Sequence, residues 1–487
     1  MKTMKHSFII IISVVSAILL IQGCTYKDYP SQVEQPSVRT LSSLTKSVAD
    51  RSTPIVKEKP KVITRDALDD ILFEGLKGTG IKDTKRFTLK TISEENTPII
   101  HSVNFNEGGW ALVAGREFTN NQIIAYGEEG SFDPDNIESP EVQFWFRMTK
   151  ASLKQTFEAA DREAASQIGT VSAQEEEENL LDSFSYSDPY VWVRLYLGYE
   201  SSNIVTNVYH LTETRWGPDY PWNYKCPTIN NSQCYIGCMT VAVAQLLYYL
   251  HYNVGTPSGC YHMVDTSYTW NNAGYYTSHL TRGNYTAPSP RWDAMAQTNP
   301  YLLNTSTQYV GDLMIDVADR LGTRFDALGG VATFSPSVFP YYNINCSGIQ
   351  QYNSSQTIAQ LNNSMPVLVS GAESNNADGH AWLIDGYKKT VTQTDHQYKW
   401  VIMPPDSLQY YNNINYNYVF TETEMQQFYP GIEENQIVHE YSYSTPSYLL
   451  RMNWGWDGIY NGGLYAIIPD NSWEYYLNTT MITGFTN

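Results

Sequence analysis

The sequence is short of positive charge. Its 487 residues include 31 Lys and Arg against 50 Asp and Glu, so the formal net charge is -19. A protein that holds nucleic-acid phosphates needs basic patches, and this balance argues against nucleic acid as a partner. Charged residues make up only 17% of the chain and hydrophobic residues 42%, which excludes a disordered chain and supplies a sizeable core.

Cysteine is also scarce. There are six cysteines, which is far too few for a disulfide scaffold in a chain of this length. The sequence contains neither metal-ligand spacing nor a Gly-rich phosphate loop, and we therefore predict no cofactor. The cysteines are Cys24, Cys226, Cys234, Cys238, Cys260 and Cys346.

Long apolar runs are missing, except at the N-terminus. Lys2 and Lys5 precede an apolar run from residue 8 to residue 21, which is shorter than the ~20 residues of a membrane-spanning helix and typical of a secretory signal. The run ends in Leu-Ile-Gln-Gly before Cys24, a pattern that resembles a bacterial lipoprotein box. The alternative is ordinary signal cleavage nearby, with Cys24 incidental.

The lipoprotein resemblance implies a signal peptide at 1–23 and lipid attachment at Cys24. The chain would then be exported and held in the bacterial cell envelope through its lipid anchor, or released outside the cell after processing. A polar stretch at 24–62 follows, and its composition predicts a flexible tether.

The next region, 63–165, is predicted to be a small α+β unit, because apolar residues recur at helical spacing at both ends and in short runs between them. A polar stretch at 166–190 contains four consecutive glutamates and predicts an acidic linker or processing region. The remainder, 191–487, is rich in Tyr, Asn and short β-like runs and is large enough for one catalytic domain. Within the α+β unit we expect helices at 65–77 and 142–160 and strands at 99–104, 109–115 and 122–126.

Cys238 begins a segment without Gly or Pro that continues to Leu250 and is apolar on nearly every face. This pattern predicts a buried helix with Cys238 in its first turn. The free N–H groups and partial positive charge of a helix N-terminus favour a thiolate and can stabilise an oxyanion. The competing interpretation is a small buried hydrophobic cysteine.

A thiolate nucleophile needs a base, and His380 has the most telling context of the nine histidines. It follows Gly379 and opens a short apolar strand that is expected to end at an Asp385-Gly386 turn. Asn453 is the candidate that orients the imidazole, and Trp454 would shield that hydrogen bond from water. Taken singly, His380 also fits a surface turn, and the Asn-Trp-Gly-Trp segment fits ordinary sheet packing.

Together these segments resemble the three blocks of the streptopain-type cysteine peptidases, and their order and the Cys-to-His spacing match papain-type proteases. The segment from Trp216 to Asn223 resembles the opening of the mature domain in that family. The unit at 63–165 resembles its inhibitory propeptide. The resemblance implies an α+β fold, with a papain-like cysteine peptidase domain preceded by a small α+β propeptide domain.

The resemblance also implies the roles of the residues. Cys238 would be the nucleophile, His380 the general base and later acid, Asn453 the residue that orients His380, and Trp454 the cover of that bond. Protein or peptide substrates and the chain's own propeptide, acting as an intramolecular inhibitor, are the implied partners.

Two features depart from the family. Pro218 stands where the family usually has a Gln that donates to the oxyanion hole, and Gln233 is a candidate substitute. A stretch at about 388–448 lengthens the distance from His380 to Asn453 and is expected to form an extra hairpin and loop. The leading hypothesis is a secreted, lipid-anchored zymogen of a cysteine endopeptidase. The alternatives are a weakened or inactive papain-like surface lipoprotein that binds proteins or glycans, and amidase or transglutaminase chemistry at the same site.

The cysteine count leads to a test. With Cys24 bound to lipid and Cys238 kept for catalysis, the other four cysteines can form two bridges in an oxidising compartment, in any of three connectivities. Alkylation without reduction, followed by mass spectrometry, is expected to find Cys238 as a free thiol. Cys238 in a disulfide would contradict its assignment as the nucleophile.

Overall fold

The computed structural model describes residues 59–117, 122–167, 189–208, 210–257, 262–283, 291–372, 379–411, 414–458, 463–466 and 479–486. The predicted signal peptide, Cys24, almost all of the tether, the four glutamates of the linker and Cys260 lie outside these residues. In the part of the chain that is described, no helix has both the length and the apolar character needed to cross a membrane.

The chain forms seven α-helices and nineteen strands within the described residues. The helices are α1 Arg65–Gly75, α2 Pro140–Gln167, α3 Cys238–Val254, α4 Arg291–Ala294, α5 Thr305–Arg320, α6 Ser354–Asn362 and α7 Glu422–Phe428, and 3-10 turns lie at Pro336–Tyr342 and Pro405–Tyr410. The strands are β1 Phe87–Glu94, β2 Thr97–Phe105, β3 Trp110–Ala114, β4 Ile123–Gly127, β5 Val191–Val208, β6 Thr228–Ile229, β7 Ser232–Gln233, β8 His262–Trp270, β9 Tyr276–Gly283, β10 Arg324–Asp326, β11 Gly329–Val331, β12 Gln350–Gln351, β13 Val367–Gly371, β14 His380–Met403, β15 Ile414–Phe420, β16 Ile437–Tyr443, β17 Ser447–Asn453, β18 Gly463–Ala466 and β19 Thr480–Ile482.

One 13-stranded sheet joins the two halves of the chain. Its main path runs β1-β2-β3-β4-β18-β17-β14-β13-β19-β12, while β5 and β16 pair with β14 and β15 pairs with β5. The junction is the antiparallel pairing of β4 with β18, in which Leu464 lies opposite Tyr126. The N-terminal region (residues 59–167) therefore continues the sheet of the C-terminal region (residues 189–486).

Helices cover both faces of this sheet. Ala381 and Leu383 of β14 share a core cluster with the buried residues of α3. Trp382 and Ile384 belong to another cluster, which contains α2 residues such as Phe144. Because successive residues of a strand point to opposite faces, α3 and α2 pack on opposite sides of β14.

The structure contains the elements expected in the N-terminal region. Strands β2, β3 and β4 and helices α1 and α2 lie where apolar periodicity predicts them, and α2 continues to Gln167. Strand β1 is the element that the sequence analysis left out, and its partly exposed residues alternate without a continuous apolar run. The result is an α+β fold.

The expected turn at Asp385-Gly386 is wrong. Strand β14 continues through these residues to Met403, and the register with β17 shifts between Ile384 and Gly386, as in a β-bulge. The reason is a long-range ion pair: Asp385 is buried, and both of its carboxylate oxygens accept from Arg451 Nη1, at 2.7 and 2.6 Å. A buried, paired carboxylate is compatible with a continuing strand.

The far half of β14 forms the first part of the extra stretch at 388–448. It pairs with β5 on one side, from Tyr387 opposite Val208 to Met403 opposite Val191, and with β16 on the other. The expected hairpin is therefore part of an extended sheet arm. Strand β5 is built into this arm and belongs to the C-terminal region.

Helix α3 begins at Cys238 as expected and ends at Val254. Gly237 precedes it with φ 97°, and a Cβ at Gly237 would lie 2.3 Å from the carbonyl oxygen of Gly330. The backbone of β11 thus lies directly on the residue before Cys238, an approach that only glycine permits. Gly255 ends the helix with φ 78° and has open space around its Cβ position.

These two glycines make a matched pair for a test. Gly237→Ala is expected to lower the free energy of unfolding by about 3 kcal/mol, because the positive φ and the clash with Gly330 both cost energy. Gly255→Ala shares only the positive φ and is expected to cost about 1 kcal/mol. Denaturant titration of both variants measures the difference. Equal losses would show that the Gly330 contact is not constraining.

Candidate active site

Cys238 is the first residue of α3, and its half-buried free thiol packs at the edge of the helix core. The remaining turns of the helix are buried from Met239 to Leu250. The apolar sequence thus fixes the helix in the interior while its N-terminus reaches the surface. A thiol at this end lies beside the free N–H groups of the first helical turn.

His380 is the first residue of β14 and lies opposite Gly371 of β13. Its ring centroid is 6.1 Å from that of Phe144, which belongs to α2. A Cβ at Gly371 would lie 3.4 Å from the Phe144 ring, so the absent side chain leaves the space that Phe144 occupies. The N-terminal region therefore lies directly against His380.

The sheet brings the segment after His380 close to the helix of Cys238. Ala381 and Leu383 pack into the same cluster as α3. The strand that begins at His380 thus shares a core cluster with the helix that begins at Cys238. A direct pairing of the Cys238 thiol with the His380 imidazole stays a prediction.

Asn453 ends β17, opposite Leu383, and is almost fully buried. Its amide nitrogen donates to Thr212 Oγ1 at 3.0 Å and to the carbonyl oxygen of Thr214 at 3.1 Å. These bonds fasten the end of β17 to the segment that follows β5. The role of Asn453 in orienting His380 also stays a prediction.

Gln245 is a buried polar residue of α3 that the sequence analysis did not single out. Its side-chain amide and that of Asn453 bond reciprocally, with Nε2 donating to Asn453 Oδ1 at 3.1 Å and Oε1 accepting from Asn453 Nδ2 at 3.2 Å. Oε1 also accepts from the backbone N–H of Trp216 at 3.3 Å. A glutamine inside an otherwise apolar helix was the available signal, since buried amides need partners.

Trp454 lies on the other face of the sheet from Asn453. Its ring is 1% exposed and packs on Trp382, with the centroids 5.2 Å apart. Trp382 is two residues after His380 on the same face of β14. Trp454 thus supports the strand that carries His380 through an aromatic contact.

A buried polar network extends the Asn453 contacts. The Asp385 carboxylate, paired with Arg451, also accepts from the backbone N–H of Thr212 at 3.2 Å and from its hydroxyl. Thr212 Oγ1 in turn accepts from Asn453. Residues near 212 are therefore part of the site's support.

Pro218 makes a backbone hydrogen bond near Cys238, and the side chain of Gln233 bonds within its own hairpin region. The Pro218 carbonyl oxygen accepts from the backbone N–H of Ile236 at 2.8 Å, two residues before Cys238. Gln233 Nε2 donates to the Cys226 carbonyl oxygen at 3.2 Å, within the β6–β7 hairpin. Nothing in this contact gives Gln233 the part of an oxyanion donor.

The expected bridges are not formed among the described cysteines: Cys226, Cys234 and Cys346 carry free thiols, and Cys260 lies outside the described residues. Burial and the neighbouring Cys234 raise the pKa of Cys226. Cys234 Sγ instead donates to the carbonyl oxygen of Asp326 at 3.4 Å. Within the described ranges, no group of three or more His, Cys, Asp or Glu side chains is placed to hold a metal ion.

Two solved structures are similar to the chain in part. One is a fragment of prointerpain A from Prevotella intermedia with a cysteine-to-alanine substitution, at 15% identity and a TM-score of 0.46, over 82% of this chain and 99% of that one. The other is the active wild-type interpain A cysteine protease from the same organism, at 18% identity and a TM-score of 0.34, over 57% of this chain and 94% of that one. No curated protein matches the chain.

Two family models match the sequence in the order that the resemblance implies. Residues 56–153 match the Spi protease inhibitor family and residues 216–405 match the Peptidase C10 family. The second match includes Cys238 and His380 and ends before Asn453. The chain therefore belongs to the Peptidase C10 family, the streptopain family of cysteine peptidases, and carries an Spi inhibitor domain as its propeptide.

Proposed function

We propose that the protein is a secreted, lipid-anchored zymogen of an endopeptidase that cleaves peptide bonds through Cys238, His380 and Asn453. The observation that carries the proposal is the half-buried Cys238 at the N-terminus of a buried helix, which packs on the strand that begins at His380. The Spi domain, docked on the opposite face of that strand, supports the zymogen state.

In the proposed reaction, the Cys238 thiolate attacks the substrate carbonyl carbon and forms a tetrahedral oxyanion. The N–H groups at the start of α3 stabilise that negative charge. His380, protonated in the resting ion pair, gives its proton to the leaving amine as the C–N bond breaks and the thioester forms. His380 then takes a proton from water, which attacks the thioester and releases the acid product.

Latency follows from contacts of the Spi domain with the His380 region. Phe144 lies against both His380 and Gly371, and strand β4 covers the edge of β18. Lys388 of β14 donates to the Gly75 carbonyl oxygen at the end of α1, at 3.2 Å. Because Phe144 of the Spi domain contacts the His380 ring, release of the domain would free the imidazole to meet the thiolate.

The proposed cleavage site lies before β5. The sequence is compatible with cleavage at any point up to Thr212. However, β5 is paired along its length with β14, and Thr212 bonds to Asn453. Loss of β5 would remove a strand from the peptidase sheet, and loss of Thr212 would remove a partner of Asn453. The segment between α2 and β5, which contains the acidic stretch, is therefore the proposed processing region.

Export and lipid attachment at Cys24 complete the proposal and are supported by the N-terminal pattern alone. The second candidate is a weakened or inactive surface lipoprotein that binds proteins or glycans. Pro218 in the place of the family's Gln favours it, as do the exposed tyrosines of the sheet arm, such as Tyr199 and Tyr441. The thiol chemistry of Cys238 separates the two candidates.

Self-processing tests the nucleophile. The chain without residues 1–23 is expected to cleave itself under reducing conditions and to digest a denatured protein, whereas Cys238→Ala does neither, because the attacking sulfur is gone. N-terminal sequencing of the mature form is expected to begin between residues 168 and 190. Equal processing in both chains, with no labelling by a thiol-directed inhibitor, contradicts the proposal.

Inhibition in trans tests the latency contact. An isolated Spi domain (residues 59–167) is expected to inhibit the mature peptidase, and Phe144→Ala to raise its inhibition constant at least about tenfold, because the ring against His380 is lost. Phe73→Ala is the matched control, since Phe73 is 55% exposed. Circular dichroism verifies that both variants fold. Equal inhibition by folded Phe144→Ala and Phe73→Ala would reject the contact.

A further inference from the structure

Two carboxyl side chains meet beside the segment that leads to Cys238. Asp219 follows the Trp216-Gly217-Pro218 segment, and Asp457 ends the Asn453–Asp457 loop. A Cβ at Gly217 would lie 2.8 Å from Asp457 Oδ1 and 3.2 Å from Asp219 Oδ1. Glycine at this position therefore lets both carboxyls pack against the same backbone.

The neighbouring donors are arranged asymmetrically around this pair. Trp222 Nε1 donates to Asp457 Oδ1 at 2.6 Å, and Asn299 Nδ2 donates to Asp457 Oδ2 at 2.7 Å. Burial raises the pKa of Asp457, and both bonds act against that rise by favouring its charged form. Asp219 is then the partner that keeps a proton and donates it to Asp457, and burial together with the Asp457 charge raises the pKa of Asp219 to about 6.

The surroundings of the pair offer little compensation for a second negative charge. Three segments pack here, at 215–223, 297–301 and 453–458, and the side chains that reach the carboxyls are the neutral Trp222 and Asn299. The charged side chain nearby is Arg215, whose Cδ would lie 2.7 Å from a Cβ at Gly458. Two ionised carboxylates at this spacing repel each other.

The carboxyl pair connects two segments of the candidate active site. The backbone N–H of Asp457 donates to the Trp216 carbonyl oxygen at 3.3 Å. This bond joins the same two segments as the carboxyl contact. On the other side, the Pro218 carbonyl oxygen accepts from Ile236, next to Gly237 and Cys238. The Trp216–Pro218 segment is therefore bonded both to Asp457 and to the residue that precedes Gly237 and Cys238.

We propose that Asp219 and Asp457 share one proton and act as positioning residues, which hold Trp216–Pro218 against the Asn453–Asp457 loop until the pair loses that proton. The expected effect on peptidase activity rests on the proposed function, whereas the expected effect on the stability of the fold does not.

The direction of the pH effect follows from the raised pKa of Asp219. A group whose pKa is higher in the folded chain than in the unfolded chain stabilises the fold fully at low pH, and the contribution is lost as pH rises through the folded value. For Asp219 the contribution falls as pH rises from the ordinary pKa of 3.8 and is lost as pH passes the folded pKa of about 6. The link between the two segments is thus strong at pH 5 and weak at pH 8.

Thermal unfolding of the full chain tests this inference in a Cys238→Ala background, which prevents self-processing. Asp219→Asn keeps an N–H donor for Asp457 and cannot ionise, so its melting temperature relative to the parent is expected to rise by at least about 2 °C from pH 5 to pH 8. Asp457→Asn replaces one accepting oxygen by an NH₂ group, which faces the donors Trp222 and Asn299 and cannot accept from them. This variant is expected to have a lower melting temperature at both pH values. Asp406→Asn, at an exposed aspartate of the 3-10 turn, is the control and should parallel the parent.

If the melting temperatures of Asp219→Asn and Asp406→Asn depend on pH equally, the shared proton is overturned. It is also overturned if Asp219→Asn and Asp457→Asn have the same melting temperatures at both pH values. In chains that keep Cys238, the ratio of peptidase activity at pH 8 to that at pH 5.5 is expected to be at least about threefold higher for Asp219→Asn than for wild type. An unchanged ratio beside a changed melting temperature overturns the positioning role. An inactive wild type overturns the proposed function instead, while the melting temperatures still decide the carboxyl pair.

Discussion

The reciprocal amide bond between Gln245 and Asn453 is the interaction on which the site depends. It joins the buried helix of Cys238 to the end of β17, and the same two side chains hold Trp216 and Thr212. Breaking one partner would leave buried amide groups unsatisfied, at about 1–3 kcal/mol each. Apolar packing alone does not fix the position of the helix along the sheet. These directional bonds therefore determine how the helix lies on the sheet.

The Spi domain uses the same sheet in a different way. Its strand β4 continues the peptidase sheet at β18, and its helix α2 packs on the face that carries Trp382 and Trp454. One contact surface therefore both stabilises the full-length chain and places Phe144 against His380.

Local patterns predicted the elements well and their connections less well. The helix after Cys238 and the two helices and three predicted strands of the N-terminal region were confirmed, because periodicity reports which face of an element is buried. The Asp385-Gly386 turn was wrong because the ion pair with Arg451 overrides the usual preference of Asp-Gly for turns. Gln245, Thr212 and Arg451 were missed for the same reason, since each acts on a residue far away in the chain.

The sequence by itself determined a cysteine at the start of a buried helix, a histidine at the start of a strand, and an inhibitory domain ahead of both. The first two features follow from residue type and short-range spacing, and the third follows from the resemblance to the streptopain-type propeptide. Only the tertiary structure decided that Phe144 lies on His380, that Asn453 is bound to Gln245, and that the carboxyls of Asp219 and Asp457 meet. Such contacts join distant segments through strand register and helix packing, and no local pattern specifies them.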